Sequence, residues 1–450
     1  MNADLLVPPL ESEAELPGIV TATHRTGYGL TVLACQMRSP LTQVRLRVPW
    51  ADLDADEFAT ATVLGRTLLA GTFTRSGRRL AEDLQTLGAK VEVAVEGEHL
   101  LVAAACVPSG LDELLATLAE VLSSAAHPAT DVLRERRHLA YEVDVAMARP
   151  DTAAHVVALR HRFGGDPYSN VLAAPEALRE VTAPHLHTLQ RERLAWTRAS
   201  LVVLCSAPSE ATLDVALRHF EELPVAGAAQ RSTPLVSEAA PAALLVPREG
   251  AMQATLVVMT RAVRRPDPLY AAAELANLGF GGYFSSRLVS VLREERGYSY
   301  APSSRLVSVP RAAYTLTTAS VSAAVAADAL EVVLEEFGRL RSAPFDRAEL
   351  AAVRAFAVGS MAMRFARSSA LAPELSAVLA ECLPPQWLAE HYARLREATP
   401  DQLRDVVDTV LDPAGTTVVV AGDPDVIGSR LHATQPVVTV PTSTSRNRWP

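Results

Sequence analysis

Lysine is almost missing from this chain: Lys90 is the single lysine among 42 basic residues. Arginine therefore fills about one position in eleven, and no arginine marks a site by itself. No block of five or six basic residues occurs, and the formal net charge is −9. That balance excludes the basic footprint of a nucleic-acid binder. Cysteine is scarce too. Cys35, Cys106, Cys205 and Cys382 form no CxxC pair, and three lie in apolar strand-like runs, so the expectation is buried, reduced thiols. No apolar run approaches the about 20 residues needed to span a bilayer. The opening MNADLLVPPLESEAELPG is acidic and has neither a basic start nor an apolar stretch. It does not read as a secretory signal, and a cytoplasmic location is expected by default.

What is present is 49% hydrophobic residues over 450 positions, enough to bury large cores in two to four domains. The pattern divides into two halves of similar design. In the first, over residues 18–223, strands are expected over 19–23, 30–36 and 43–48. A helix follows over 54–70, with Asp54 and Glu57 spaced as a capping box. A second helix over 78–87 stops at Gly88. Strands over 90–96 and 100–107, four helices and a closing strand over 201–206 complete the half. Residues 224–249, PVAGAAQRSTPLVSEAAPAALLVPRE, read as a linker between the halves. Residues 250–433 then repeat the order of strand, helix, two strands, helices and strand. Residues 1–17 form an extension, and residues 434–450, rich in Pro, Ser and Thr, are expected to be a disordered tail. Self-similarity at a period of about 220 residues points to a duplicated unit. Because strands and helices come in runs, the class is α+β, with helices packed on an antiparallel sheet.

Several passages together resemble the M16 (pitrilysin or mitochondrial-processing-peptidase-like) metallopeptidases, in the short bacterial M16B form. FSSRLVSVLREERGYSYA is similar to the family's G-x-x-SRL-x-x-x-LR-x-x-x-G-L-x-Y passage, with Tyr298 where the family usually has Leu. LLAGT (68–72) sits where the family has Gly-Thr after its metal helix. ERRHLAYEVD (135–144) and FGGDPYSNVLAAPEALREVT (163–182) match two further segments. The resemblance covers residues 18–433. It implies two LuxS/MPP-like domains, each an antiparallel sheet with helices, forming half of a clam-shell.

Active members of that family carry H-x-x-E-H on the first long helix, two histidines gripping Zn²⁺ and a glutamate activating water. Counting back from Gly71 and Thr72, those five positions are Thr62, Val63, Leu64, Gly65 and Arg66. Both histidines and the base are gone. Glu142 matches the family's third ligand and Glu135 its second acidic position. One reading has Arg66 filling the vacated volume and pairing with Glu142, a cation in place of the metal. The plainer reading has both side chains reach solvent. A rearranged metal site would have to draw on His138 with Glu142, His185 with His187, or His155 and His161. No metal is expected in this chain.

The family's second-half pair is intact in Arg293 and Tyr300, on either side of the break at Gly297. A guanidinium offers a fixed fork of donors to a carbonyl or carboxylate. A tyrosine hydroxyl can donate to the oxyanion formed when water attacks an amide. Outside that context, Arg293 would read as partner to a neighbouring Glu and Tyr300 as a core strand residue. The resemblance implies a zinc-less subunit of a heterodimeric metalloendopeptidase, inactive alone, lending its Arg/Tyr pair to a zinc-bearing partner with intact H-x-x-E-H that cleaves peptides. Two other readings stand beside it: a peptide-binding or structural scaffold without a role in proteolysis, and a peptidase active alone through a rearranged site.

Overall fold

The β-branched and leucine runs pair into two six-stranded sheets of matching strand order. The computed structural model describes residues 18–223, 242–410, 415–434 and 437–440. The first half runs β1 (Val20–Arg25), β2 (Thr31–Gln36), β3 (Thr42–Pro49), α1 (Ala55–Thr67), α2 (Gly77–Thr86), β4 (Lys90–Glu96) and β5 (His99–Cys106). It continues α3 (Leu111–Ser124), α4 (Ala129–Ala148), α5 (Pro150–Phe163), α6 (Pro175–Glu180), α7 (Ala183–Arg193), β6 (Ser200–Cys205) and α8 (Ser209–Phe220). The second half runs β7 (Ala243–Pro247), β8 (Gln253–Arg261), α9 (Tyr270–Asn277), α10 (Arg287–Val289), β9 (Ser303–Val309), β10 (Ala312–Ser322) and α11 (Ala326–Ser342). Then come α12 (Arg347–Phe365), α13 (Ser368–Ala380), α14 (Trp387–Glu397), α15 (Pro400–Val410), β11 (Thr417–Gly422), α16 (Pro424–Thr434) and β12 (Val437–Thr439).

The sheet orders are β1-β2-β6-β3-β5-β4 and β12-β7-β11-β8-β10-β9. Strand for strand, β2 answers β7, β6 answers β11, β3 answers β8, β5 answers β10 and β4 answers β9. Only the outermost slot differs: β1 is antiparallel to β2, whereas β12 is parallel to β7. The sheets are therefore mixed rather than wholly antiparallel, since β2–β6, β7–β11 and β7–β12 are parallel pairs. Helical crossovers carry the chain back in the same direction between them. The expected linker over 224–249 contains β7, and its residues 224–241 lie outside the described residues. The expected disordered tail likewise contains β12, while residues 1–17 and 441–450 lie outside the described residues.

Each sheet packs on helices of both halves. α13 lies across β3 and β6 of the first sheet, and α5 lies across β8 and β11 of the second. Leu201 and Val203 join the core of the first half, while Val202 and Leu204 face the core of the second. Every residue of β6 and of β11 is buried as a result. Two covered faces explain why these strands read as unbroken apolar runs rather than alternating ones. Cys35, Cys106 and Cys205 are buried as expected, but Cys382 is exposed, in a tight turn with φ 59°. Among the described residues no helix is long and apolar enough to cross a membrane.

At the periphery one arginine ties the halves together. Arg311, in the β9–β10 turn, donates Nη1 and Nη2 to the Asp166 carboxylate at 2.8 Å each and Nε to Glu98 at 2.8 Å. Its backbone N–H donates to Tyr168 Oη at 3.0 Å. Burial pushes the Glu98 carboxyl up, against the pull of Tyr168 and Arg311. Removing the guanidinium would leave two shielded carboxylates unpaired. Arg311→Ala is therefore expected to cost about 3–5 kcal/mol in chemical denaturation. Arg311→Lys should recover only part, because an ammonium cannot fork. An unchanged denaturation midpoint for Arg311→Ala would contradict this account.

Candidate functional site

The helix expected to have lost its metal chemistry is α1. Asp54 caps it, accepting from the Asp56 and Glu57 N–H groups at 2.8 Å, and Glu57 answers to the Asp54 N–H, so the capping box forms. The Thr62 hydroxyl donates back to the Phe58 carbonyl at 2.8 Å. Gly65 lies against the edge strand β4, where an added Cβ would stand 2.7 Å from Val95 Cγ2. The position of the missing base is thus filled from the neighbouring strand, and no carboxylate fits without moving Val95. Arg66 Nη2 donates to Glu142 Oε2 on α4, and His138 Nδ1 lies 3.3 Å from Glu142 Oε1. The Arg66 and Glu142 side chains remain 44% and 38% exposed, so this pair contributes at most about 1 kcal/mol. Glu135 meets Arg134 Nε at 3.2 Å.

Thr, Gly and Arg supply no zinc donors, and among the described residues no three His, Cys, Asp or Glu side chains gather as a ligand set. His185, His187, His155 and His161 assemble no such set. His187 instead packs edge-on to His127, with ring centres 5.3 Å apart. His127, fully buried, donates Nε2–H to Gln190 Oε1 at 2.9 Å and accepts the Thr67 hydroxyl at Nδ1 at 2.8 Å. It thereby fastens the end of α1 to α7. Burial pushes its pKa down to about 4.

The second-half pair is built by a glycine-rich turn. After α9 the chain makes a wide helical turn over Leu278–Gly282. There a Cβ at Gly281 would stand 2.8 Å from Ser304 Cβ, so glycine lets the turn lie flat on β9. Arg287 then anchors α10, donating to Glu349 at 2.8 and 2.7 Å and to the Ala343 carbonyl at 2.8 Å. The helix widens over Ser290–Glu295, and Gly297 breaks it at φ 65°. These turns bring Arg293 and Tyr300 together: the guanidinium carbon lies 4.9 Å from the Tyr300 ring centre. It also lies 4.8 Å from the Phe284 ring centre, so Arg293 meets two aromatic faces. Its Nε also reaches Glu294 Oε1 at 3.3 Å.

Tyr300 is not a strand residue of the core. The strand expected to hold it starts at Ser303, and Tyr300 is 81% exposed, in a bend before β9. Phe284, 69% exposed, is the member of the cluster that sequence reasoning missed. Its signal was an aromatic immediately before the SSRL run. Two exposed rings clasping one cation leave the outer donors of the fork and the Tyr300 hydroxyl open to whatever approaches from outside the chain.

The fold and its altered helix define a peptidase-like body without the metal ligands of an active centre. Two family models match: "Insulinase (Peptidase family M16)" over residues 57–176 and "Peptidase M16 inactive domain" over residues 180–356. The chain belongs to the M16 peptidase family and lacks its zinc motif. It is 25% identical over 275 residues to an uncharacterised zinc protease of Mycobacterium leprae, a match spanning 60% of this chain and 61% of that protein. Its fold is similar to the crystal structure of a peptidase M16 inactive domain from Pseudomonas fluorescens, with TM-score 0.82 and 19% identity, covering 90% of this chain and 98% of that one. It is also similar to a protease from Helicobacter pylori, with TM-score 0.82 and 15% identity over 91% of this chain and 100% of that one.

The contact of Gly65 with Val95 gives a sign-changing test. Gly65→Ala gains about 1 kcal/mol of helix propensity but loses about 1–3 kcal/mol to overpacking, so it should destabilise. In a Val95→Ala background the same change should stabilise. Equal effects in the two backgrounds, read by urea unfolding, would rule out the contact. His127 sets a pH dependence. Its folded pKa lies below the ordinary value of about 6.5, so the unfolded chain binds the extra proton between about pH 6.5 and 4. Stability is complete above that window and falls as pH drops through it, by about 3 kcal/mol. His127→Gln should flatten this part of the profile.

Proposed function

We propose that this chain is the zinc-less subunit of a heterodimeric metalloendopeptidase. Arg293 and Tyr300 act on a peptide held against a separately encoded M16 partner that carries an intact H-x-x-E-H motif and the metal. The observation carrying this reading is the juxtaposition of Arg293 and Tyr300 with the tyrosine hydroxyl turned outward. A residue serving only the core would be covered. In the proposed roles, the Arg293 fork holds a carbonyl or carboxylate of the substrate. The Tyr300 hydroxyl donates to the oxyanion that forms as water adds to the scissile amide. Phe284 and Tyr300 fix the guanidinium plane, so little side-chain freedom is lost on binding. The free edge of β9 begins three residues after Tyr300 and suits a substrate added as a strand.

The Arg66–Glu142 pair places a cation where active members hold their metal, and it closes that site to zinc. The chain therefore works with its partner, in the cytoplasm, on peptides small or unfolded enough to enter between the subunits.

The test is reconstitution with an H-x-x-E-H chain of the same family from the same genome, following cleavage of a quenched peptide. The pair should cut and neither chain alone should. Tyr300→Phe should lower kcat by about 10²–10³. Arg293→Ala should mainly raise KM. If the partner alone cuts as fast as the pair, the proposal fails. If the pair is required but Tyr300→Phe cuts normally, the chain is a scaffold.

A further inference from the structure

The second half holds a cavity of about 340 Å³ between α9, β9, α12, α13 and α14. It occupies the position in the duplicated unit that the altered metal site occupies in the first. α9 packs on the edge strand β9 and the long helix α12 as α1 packs on the edge strand β4 and the long helix α4. Where the first half is closed by Val95, the second is open. Leu278, Leu306, Met361 and Phe365 give the cavity an apolar wall. Its charged wall is Arg265, Glu274, Arg364 and Glu374, while Arg305, opposite Leu316 on β10, faces the other side of the sheet.

The charged groups are only partly used. Glu274 sits on a helix whose Ala273 and Leu275 have no exposed surface, yet its own side chain keeps 22%, toward the cavity. Its Oε2 accepts from His391 Nε2 at 2.8 Å, and its Oε1 has no hydrogen bond among the described residues. Burial opposes its charge, but the His391 hydrogen bond and the nearby Arg364 and Arg265 outweigh it and hold its carboxyl below the usual range. Glu374 Oε1 accepts from Arg364 Nη1 at 3.0 Å, leaving Glu374 Oε2 and the Arg364 Nε and Nη2 donors without a partner among the described residues. Arg265 is bonded to the buried Glu381 at 2.7 Å. Arg364 thus offers open donors beside the open acceptors of Glu374 and Glu274. A lone anion or a lone cation would leave the groups of one sign unused in a shielded space. A zwitterion would not.

We propose that this cavity binds a free α-amino acid or dipeptide with apolar side chains, its ammonium end taken by Glu274 and Glu374, its carboxylate by Arg364. The volume is at the low end for small-molecule sites and limits the ligand to that size. The apolar wall covers its side chains. This is the chemistry of what peptide hydrolysis releases. The site needs neither a partner chain nor the Arg293–Tyr300 roles.

Titration calorimetry on the intact chain tests it directly, with leucine, leucyl-leucine and N-acetyl-leucyl-leucine amide as probes. At least one of the two zwitterions should bind, and the doubly blocked peptide should bind at least about tenfold more weakly. Glu374→Gln and Arg364→Gln should each weaken binding at least about tenfold at an unchanged thermal midpoint. Glu274→Gln should weaken it with a lowered midpoint, since it also breaks the His391 contact. Binding of leucine or of leucyl-leucine alone fixes the size of the site and upholds it. Failure of both zwitterions to bind, or equal binding of the blocked peptide, overturns the proposal.

Discussion

Everything in this molecule hangs on two strands that have no exposed face. β6 and β11 lie inside their sheets, and successive residues face the cores of opposite halves. The hydrophobic effect therefore couples the halves through the strands themselves, and not merely through a boundary patch. α13 and α5 cross the sheets reciprocally because each sheet has a second apolar face to cover. The Arg311 node then sets the angle at the rim. Its fork fits Asp166 in two hydrogen bonds, a geometric restraint that apolar packing alone does not supply.

On this frame the two corresponding clefts have gone separate ways. In the first half the bare Gly65 lets β4 close on the helix, so no side chain can enter there without moving Val95. The half-exposed Arg66–Glu142 pair contributes little energy, but it occupies the mouth with charge. In the second half the same architecture keeps an open, charged interior and, a few residues along the chain, a cation against two rings.

Much of this was readable in the residues. The capping box at Asp54, the two-fold order of strands and helices, and the seven-residue spacing of Arg293 and Tyr300 are local patterns, and local physics enforces them. Arg66 and Glu142 meet, which is one of the two arrangements that the residues left open. What escaped notice depends on distant partners. β7 hides in a passage of alanine and proline and becomes a strand because β11 and β12 flank it. β12 has three residues and exists only as an edge on β7. Tyr300 reads as a strand residue because aromatic residues favour strands, yet the turn after Gly297 delays β9 until Ser303. Phe284 carries no signal until Arg293 is seen against it.

The outermost slot of each sheet is filled from opposite ends of the polypeptide, by β1 in one case and β12 in the other. Synthesis makes this asymmetry matter. The first sheet has all six strands once residue 205 has left the ribosome, but Leu33, Cys35, Val202 and Leu204 on its far face wait for the second half. α13 cannot cover that face until about residue 380 exists. At about 5–20 residues per second, a nascent chain carries an uncovered apolar sheet for roughly 10–35 seconds. The second sheet receives its last strand only when residue 439 is made. The fold thus commits early and closes late, and the interval is when the nascent chain is most exposed to wrong partners.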